Sequence, residues 1–357
     1  KKNKTIDQQL EQLRDIHWSL AIELKNNLDQ VMDLAGHLPT PVFPQALAAL
    51  RNLNAVLNSI DRLEVRGRDS AGISLLFVIE EAVLKQIETQ LKEEQLSEQL
   101  VQRKNAPILG NGNIHFNTEA CDNKQIAITF TYKIASEIGK LGDNIRFLRE
   151  ELQGDRILNA LLSCPILYHT VLSHTRWASV GDITEPNCHP IDNISEDPAP
   201  SKSIIHVCLN GDIDNYRDIQ KRLVEQGRQF NSLITTDTKI IPVLIEQYYR
   251  EGMAIDKAFR TAVNQFEGSH AISMHTDLAP GKLFIAQEGS GQTVFIGIAE
   301  DHYMPVSEVY GFVEETSAFI KLDGEKKVPG RHGLTQGQIF ILDQSSLGGL
   351  SGITASY

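Results

Sequence analysis

The chain opens with apolar residues at every third or fourth position, which is the period of a helix with one buried face. This period drifts around Ile16 to Leu20, and Gly36 followed by Pro39 marks the end of a helix. On this basis helices are predicted over residues 1–38, 47–60, 80–105, 133–160, 214–226, 239–250 and 255–266.

Short apolar or alternating runs predict strands between these helices. Residues 73–79 form a nearly continuous apolar run, as in a strand buried on both faces, and residues 172–176 look like a strand that stops and turns. Other strands are predicted over 125–132, 204–209, 269–275, 282–287, 293–299, 309–313, 318–322 and 338–342. This succession predicts helices covering both faces of two stacked sheets.

The composition is that of a globular protein, because 41% of the 357 residues are hydrophobic and 22% are charged. The formal net charge of -12 argues against nucleic acid or an anionic membrane surface as a partner. No apolar run approaches the roughly 18 residues that a spanning helix requires, so we expect a soluble, cytoplasmic protein. The chain has no starting Met, which suggests a piece of a longer protein.

The four cysteines lie at positions 121, 164, 188 and 208 and form no CxxC pair. This usage is typical of free thiols in a reducing cytosol. Cys188-His189 and His206-x-Cys208 could be combined into a zinc site, but zinc ligands usually come in tighter pairs, so no metal is predicted.

Several residues in the second half carry candidate chemistry. Arg176 has a planar guanidinium suited to a bidentate grip on a carboxylate, and Trp177 beside it could wall off a small pocket. The plain alternative is an exposed Arg next to a core Trp. Taken alone, Asn210-Gly211 is more typical of a type I′ turn and Asp237 of a helix cap.

Four ordered segments change this picture: Arg66-Gly67-Arg68-Asp69-Ser70-Ala71-Gly72, His174-Thr175-Arg176-Trp177-Ala178, Asn210-Gly211-x-x-x-Asn215-Tyr216 and Thr236-Asp237-Thr238. They resemble the RGYDSAG, HTRWATHG, NGIIEN and TDTE motifs in the glutaminase domain of class II glutamine amidotransferases. The likeness points to the glutamine–fructose-6-phosphate aminotransferase (glucosamine-6-phosphate synthase) family and covers residues 45–79 and 165–345.

The resemblance implies an α+β protein with the N-terminal-nucleophile hydrolase fold, a four-layer αββα sandwich of antiparallel sheets, here with helical insertions. It implies a transaminating enzyme that hydrolyses the side-chain amide of glutamine to glutamate and ammonia. A sugar-phosphate isomerase-type domain of the same protein would receive the ammonia for amino-sugar biosynthesis. A homo-oligomer is expected, and no metal or organic cofactor is implied.

The resemblance also implies roles for residues around the glutamine. Arg176 would clamp the α-carboxylate and Asp237 would hold the α-ammonium. Trp177 and Ser179 would belong to a mobile loop that closes over the substrate. The scheme is chemically coherent, because a zwitterion requires one fixed cation and one fixed anion.

By the same resemblance, the Asn210 side chain and the Gly211 backbone N–H would form the oxyanion hole. Amide hydrolysis builds negative charge on oxygen, and such a donor pair would stabilise it. Arg66 would support the site, although a structural ion pair is an equally good interpretation.

The sequence departs from the family at the nucleophile. Family members begin with a Cys whose thiol attacks and whose own α-amino group acts as the base. Residues 1–65 contain no Cys, and Cys188, which is nearest the motif loop, has no free α-amine. Either a Cys-bearing strand precedes Lys1, or the nucleophile is lost and the domain senses glutamine or mediates assembly. A third interpretation is an unrelated amidase with a Ser or Thr nucleophile exposed by processing.

Further departures concern the loop, the pocket floor and the spacing of the motifs. Val180 stands where the family has His, and Gly291-Gln292-Thr293 replaces an SPL segment. The interval between Gly72 and His174 is much longer than in the family, so a helical insertion is expected at about 80–160.

The expected organisation follows from these departures. Residues 1–44 would be a helical insertion or extension, and residues 45–345 the amidotransferase-like domain. Residues 346–357, rich in Gly and Ser, would be a linker to a further C-terminal domain.

Overall fold

A computed structural model describes residues 2–36, 38–39, 42–118, 124–135, 140–194, 201–328 and 335–357, with side chains from residue 6 onward. The helices are α1 (Lys2–Trp18), α2 (Leu24–Leu34), α3 (Pro44–Leu63), α4 (Glu81–Glu93), α5 (Ser97–Lys104), α6 (Asp143–Gly154), α7 (Arg156–Leu162), α8 (Tyr216–Glu225), α9 (Ile240–Arg250) and α10 (Ile255–Val263). The strands are β1 (Ser70–Glu80), β2 (Asn113–Asn117), β3 (Gln125–Ala135), β4 (Tyr168–Arg176), β5 (Ile205–Gly211), β6 (His270–Thr276), β7 (Lys282–Glu288), β8 (Phe295–Ile298), β9 (Tyr303–Val306), β10 (Phe319–Lys321), β11 (Lys326–Lys327), β12 (Thr335–Gln336), β13 (Gln338–Asp343) and β14 (Ile353–Ser356).

The strand β1 lies inside a four-stranded antiparallel sheet of order β2-β3-β1-β4. Alternate residues of β1 (Ile73, Leu75, Phe77 and Ile79) enter an apolar core shared with α2, α3, α4, α6 and α7. The intervening residues face the other way and are also buried. Burial on both faces explains why the sequence of β1 is an almost unbroken apolar run.

A second antiparallel sheet has the order β14-β13-β7-β6-β5. Ile205, Val207 and Leu209 of β5 pack against α8, α9 and α10 in a separate apolar core. Because strand side chains alternate between faces, His206 and Cys208 point away from those helices and toward the first sheet.

Small and polar side chains form the contact between the two sheets. The hydroxyl of Ser74 lies 2.6 Å from Nδ1 of His206 and 2.9 Å from Nε2 of His275, so one strand of the first sheet touches two of the second. A Cβ atom on Gly72 would lie 2.1 Å from the carbonyl oxygen of His189, which only glycine permits. Helices therefore cover the outer faces of two stacked sheets, and the predicted α+β class with αββα layering is confirmed.

Three short strands lie beside this sandwich in the order β10-β8-β9, and β11 pairs with β12. Residues 309–313 were expected to be a strand, but Val309–Phe312 is a 3₁₀ turn whose Phe312 packs against Ala55. The pattern of a short apolar run does not distinguish a strand from a short helical turn. Residues 353–356 were assigned to a linker, yet β14 pairs with β13 as an edge strand.

The helical predictions need three adjustments. The helix expected over 1–38 is α1 and α2, joined by a π-helical turn at Ser19–Glu23, where the apolar period drifts. The helix over 80–105 breaks between α4 and α5, where Gln95 has φ 61°. In 133–160, β3 continues to residue 135 because Ile134 pairs with Ala71, and α6 begins only after Gly142.

We expect acid to destabilise the fold through the buried imidazole rings of His270 and His275. Burial lowers the pKa of His275 from 6.5 to about 3 and that of His270 to about 4. Below pH 6.5 these two side chains therefore bind protons in the unfolded chain but not in the folded one. The free energy of unfolding should fall between pH 6.5 and about 4, by up to about 1.4 kcal/mol per pH unit for each such ring.

Urea titrations from pH 7 to 4.5 measure this slope. His275→Gln keeps a polar group near Ser74 and should reduce the slope by about one proton, whereas His17→Gln, on the exposed face of α1, should not. A slope that is the same in wild type and His275→Gln would contradict the assignment.

Candidate functional site

The candidate site lies between the two sheets, where β4 and β5 end. In the β1–β4 ladder Gly72 is opposite His174 and Ser70 is opposite Arg176. Directly opposed residues share a face, so His174 and Arg176 point toward the second sheet, as Ser74 does. A cavity of about 730 Å³ opens here, and its lining includes all the predicted site residues: Arg66, Arg176, Trp177, Ser179, Asn210, Gly211 and Asp237.

Arg176 ends β4 and is only 4% exposed. Its guanidinium donates to the carbonyl oxygens of Val180 and, over 3.3 Å, of Asp182, so the loop after β4 folds back onto it. Burial lowers the pKa of Arg176, and the nearby carboxylate of Asp237 opposes that effect. The site thus contains a buried cation with a buried anion close by.

Trp177 is 73% exposed, which excludes the interpretation of a core Trp. The loop around it is tied down on both sides. The backbone N–H of Ala178 donates to Oδ2 of Asp69 over 3.0 Å, and the hydroxyl of Ser179 donates to Oδ1 of Asp212 over 2.5 Å. The Arg66–Gly72 motif therefore holds the base of this loop, and the end of β5 holds its tip.

Asp237 is 4% exposed and lies in the turn before α9. Its Oδ2 accepts the backbone N–H of Ile213 over 2.9 Å, and the hydroxyls of Thr236 and Thr238 approach Oδ1. Burial raises the pKa of Asp237, and the hydrogen bond from Ile213 counteracts this. The cap of the turn is Thr236, whose side chain accepts the N–H of Thr238, so the helix-cap interpretation of Asp237 is wrong.

Asn210 and Gly211 are the last residues of β5 and pair with Ala271 and His270 of β6. The interpretation of a type I′ turn is therefore wrong, since the chain continues into α8 rather than reversing at this dipeptide. Gly211 has φ +90°, and a Cβ there would lie 2.1 Å from the carbonyl oxygen of Ser269. Both conditions require glycine at this position.

The ring of His174 fixes the orientation of the Asn210 side chain. Its Nε2 lies 2.7 Å from Oδ1 of Asn210, and burial lowers the pKa of His174 to about 4. A neutral ring bonded to a carbonyl oxygen must carry its proton on Nε2. With Oδ1 engaged in this way, the NH₂ group of Asn210 is left as the donor that an oxyanion requires.

His189 packs against His174 and contacts β5 and the turn before α9. Its Nδ1 accepts the N–H of Leu209 over 3.4 Å, its Nε2 lies 2.9 Å from Oγ1 of Thr238, and its ring centre is 4.6 Å from that of His174. Neither histidine was predicted to belong to this site, and His189 was considered only as a possible zinc ligand beside Cys188. The signal for His174 was the alternation of residues 172, 174 and 176 on one face of a strand.

Two further predictions concern Arg66 and the floor of the pocket. Arg66 forms an ion pair with Glu308 and is largely exposed, which favours the structural interpretation. The floor segment includes Gln292, whose carbonyl oxygen accepts a hydrogen bond from Nε2 of Gln287 over 2.9 Å.

Within the described ranges, no group of three or more His, Cys, Asp or Glu side chains could hold a metal ion, and no helix is long and apolar enough to cross a bilayer.

The three cysteines within the described residues are buried: Cys164, Cys188 and Cys208. Burial raises the pKa of each thiol. A nucleophilic thiol requires the opposite shift, so none of these three is activated for attack. Cys121 lies outside the described residues.

The sequence matches one known protein family over part of its length. Residues 191–312 match the family described as "Glutamine amidotransferase domain". This segment contains Asn210, Gly211 and Asp237, and Arg176 precedes it. The predicted resemblance to glutamine amidotransferases is confirmed.

The sequence is also similar to individual proteins that share one name. The chain is 34% identical over 157 residues to the glutamine–fructose-6-phosphate aminotransferase (isomerizing) of Methanothermobacter thermautotrophicus, covering 44% of this chain and 25% of that protein. It is 28% identical over 246 residues to the enzyme of the same name from Chlorobaculum tepidum, covering 68% and 37% respectively. The chain thus spans only a minor part of the length of these relatives.

Solved structures resemble the chain more loosely. Glutamine phosphoribosylpyrophosphate amidotransferase from B. subtilis is 17% identical, with a TM-score of 0.43 and coverage of 80% of this chain and 48% of that one. A structure described as the allosteric regulatory enzyme of purine biosynthesis gives 17% identity and a TM-score of 0.44, with the same coverage.

Substitution of Gly211 should cost stability for two separable reasons. Gly211→Ala forces a left-handed backbone on Ala and drives its Cβ against the Ser269 carbonyl, and we expect a loss of about 3 kcal/mol or more. Gly227 has a similar φ of +92° but open space around its Cβ, so Gly227→Ala should cost only about 1 kcal/mol. Denaturant unfolding measures both, and equal losses would show that the close approach to Ser269 is absent.

Proposed function

We propose that this chain is the glutaminase part of a glutamine amidotransferase and that its cavity binds L-glutamine. The observation that carries the proposal is the placement of a buried cation, Arg176, and a buried anion, Asp237, on the wall that also holds Asn210 and Gly211. An α-amino acid presents complementary charges to the first two residues. Its side-chain amide then extends toward the other two.

In this arrangement the α-carboxylate binds Arg176 and the α-ammonium binds Asp237. The thiolate of an N-terminal Cys attacks the amide carbon, and the resulting oxyanion accepts hydrogen bonds from the NH₂ group of Asn210 and the N–H of Gly211. The Cys α-amino group takes the proton of the thiol and passes it to the leaving nitrogen. The C–N bond then breaks, ammonia leaves, and a thioester remains. Water then hydrolyses the thioester to glutamate and regenerates the thiol.

The nucleophile in this scheme is a Cys on a segment that precedes Lys1. The buried state of Cys164, Cys188 and Cys208 supports this part of the proposal, because their raised pKa values make them poor nucleophiles. The chain of 357 residues on its own should therefore turn over little or no glutamine.

The ammonia acceptor is proposed from the relatives. Their name, glutamine–fructose-6-phosphate aminotransferase (isomerizing), supports transfer of ammonia to a sugar phosphate by a further, isomerase-type domain of the same protein. The whole protein is proposed to be a cytosolic homo-oligomer. Residues 45–345 would be the glutaminase unit, with residues 1–44 as a helical extension. No metal or organic cofactor takes part in this chemistry.

The test uses the native-length protein and a diazo-ketone analogue of glutamine, followed by peptide mass spectrometry. We expect one adduct, on a Cys upstream of Lys1. Binding of L-glutamate, which has the same α-groups and is not turned over, is measured by calorimetry in parallel. Arg176→Ala should weaken it roughly 100-fold, because a charged hydrogen-bonding partner is lost.

The matched control is Arg222→Ala, which removes an exposed guanidinium bonded to Gln265, and it should leave glutamate affinity unchanged. Glutamate binding that depends on Arg176 without any adduct would make the domain a glutamine-binding sensor rather than an enzyme. Unchanged affinity in Arg176→Ala would refute the site itself.

A further inference from the structure

The two carboxylate oxygens of Asp237 are held by different partners. Oδ2 accepts the backbone N–H of Ile213 over 2.9 Å, and the hydroxyls of Thr236 and Thr238 lie 3.3 and 3.4 Å from Oδ1. A hydroxyl has a single hydrogen, so it donates to a carboxylate only when no other acceptor takes that hydrogen. The contacts of the Thr238 oxygen therefore decide whether Thr238 can donate to Asp237.

The hydroxyl oxygen of Thr238 is in contact with the ring of His189. Nε2 of that ring lies 2.9 Å from Oγ1 of Thr238, and Nδ1 accepts the backbone N–H of Leu209. Burial holds the pKa of His189 well below its ordinary value, so the ring is neutral, and an accepting Nδ1 leaves the proton on Nε2. His189 therefore donates to Thr238, and the hydrogen of Thr238 is left for Asp237.

The chain segment 187–189 is fixed against the turn that precedes α9. The side-chain oxygen of Asn187 accepts the backbone N–H groups of Thr235 and Thr236, over 2.8 and 3.1 Å. The side chains of Asn187 and His189 are both buried. The segment thus holds this turn at two points, one through the backbone and the other through the ring of His189.

We propose that His189 is a positioning residue for the α-ammonium group of the ligand. It fixes the hydroxyl of Thr238, which in turn fixes Oδ1 of Asp237, the carboxylate that binds the ammonium. This inference rests on the proposed function and adds a residue that acts on the ligand through other side chains.

The neighbouring ring of His174 acts at the other end of the ligand. Its Nε2 contacts Oδ1 of Asn210 over 2.7 Å, and its centre lies 4.6 Å from that of His189. The ammonium is bound equally in the ground state and the transition state, whereas the oxyanion exists only in the latter. Loss of the His189 contact should therefore raise KM, and loss of the His174 contact should lower kcat.

Calorimetry on the native-length protein tests the inference with two ligands. One is L-glutamate, and the other is L-2-hydroxyglutarate, which has a hydroxyl in place of the α-ammonium. Thr238→Val should weaken binding of L-glutamate about 10-fold, because Oδ1 of Asp237 loses the contact that orients it. Binding of L-2-hydroxyglutarate should change less than about twofold, because it has no ammonium, and Thr238→Ser should restore the wild-type ratio of affinities.

Variants of His189 test its own part in this chain of hydrogen bonds. His189→Gln keeps an N–H donor within reach of Thr238 and should bind L-glutamate as the wild type does. His189→Asn can still accept from Leu209 but ends short of Thr238, so it should match Thr238→Val. Combining His189→Asn with Thr238→Val should add no further loss, because both changes break the same chain of contacts.

Two outcomes would overturn the inference. Additive losses in the double variant would show that His189 supports the fold and not Asp237. Unchanged or tighter binding of L-glutamate in Thr238→Val would show that its hydroxyl does not orient the carboxylate. The matched control is Thr89→Val, which removes a hydroxyl bonded to the carbonyl of Lys85 in α4 and should leave both affinities unchanged.

Asp237→Asn separates this inference from the proposed function. If Asp237→Asn lowers the ratio of the two affinities and Thr238→Val does not, only the inference fails. If Asp237→Asn leaves the ratio unchanged, the proposed ammonium site fails and the inference with it. Glutamine turnover gives an independent measure: Thr238→Val should raise KM about 10-fold with kcat unchanged, and a fall in kcat alone would contradict the proposed role.

Discussion

The stacking of the two sheets through small and polar side chains is the constraint on which the site depends. His174 belongs to the first sheet and Asn210 to the second, and their contact of 2.7 Å exists only in one relative placement of the sheets. Ser74, wedged between His206 and His275, fixes that placement further along the same interface. An apolar interface would pack by volume alone, whereas hydrogen-bonded groups specify one alignment.

Burial then sets the protonation of the groups in the site. It makes His174 a neutral ring, which can donate to Asn210 through one nitrogen only. Burial also disfavours the charged forms of Arg176 and Asp237. The loop carbonyls and Asp237 stabilise the cation, and the N–H of Ile213 stabilises the anion. The same desolvation that makes isolated charges costly strengthens their attraction for a zwitterion that replaces water.

Much of this could be predicted from sequence, because it depends on local patterns. The period-two and period-3.6 runs locate β1, β4, β5 and most helices, and the short motifs bring Arg176, Asn210 and Asp237 to one cavity. The pattern failed where tertiary pairing decides the state: Ile134 continues a strand because β1 is its partner, and residues 353–356 pair with β13. The roles of His174 and His189 depend on contacts across the sheets. Alternation along β4 places His174 on the same face as Arg176, but it does not identify Asn210 as the partner of His174.

The loop after β4 and a bound carboxylate compete for one guanidinium. In the structure, Arg176 donates to the carbonyl oxygens of Val180 and Asp182, which are neutral acceptors. A carboxylate is a stronger acceptor than a carbonyl oxygen, so a ligand that takes the N–H groups used by the loop would displace these two contacts. The loop is otherwise held by Asp69 at its base and by Asp212 at Ser179, and it carries the exposed Trp177. A ligand that replaced the loop carbonyls at Arg176 would therefore change the hydrogen bonds of the loop that carries Trp177.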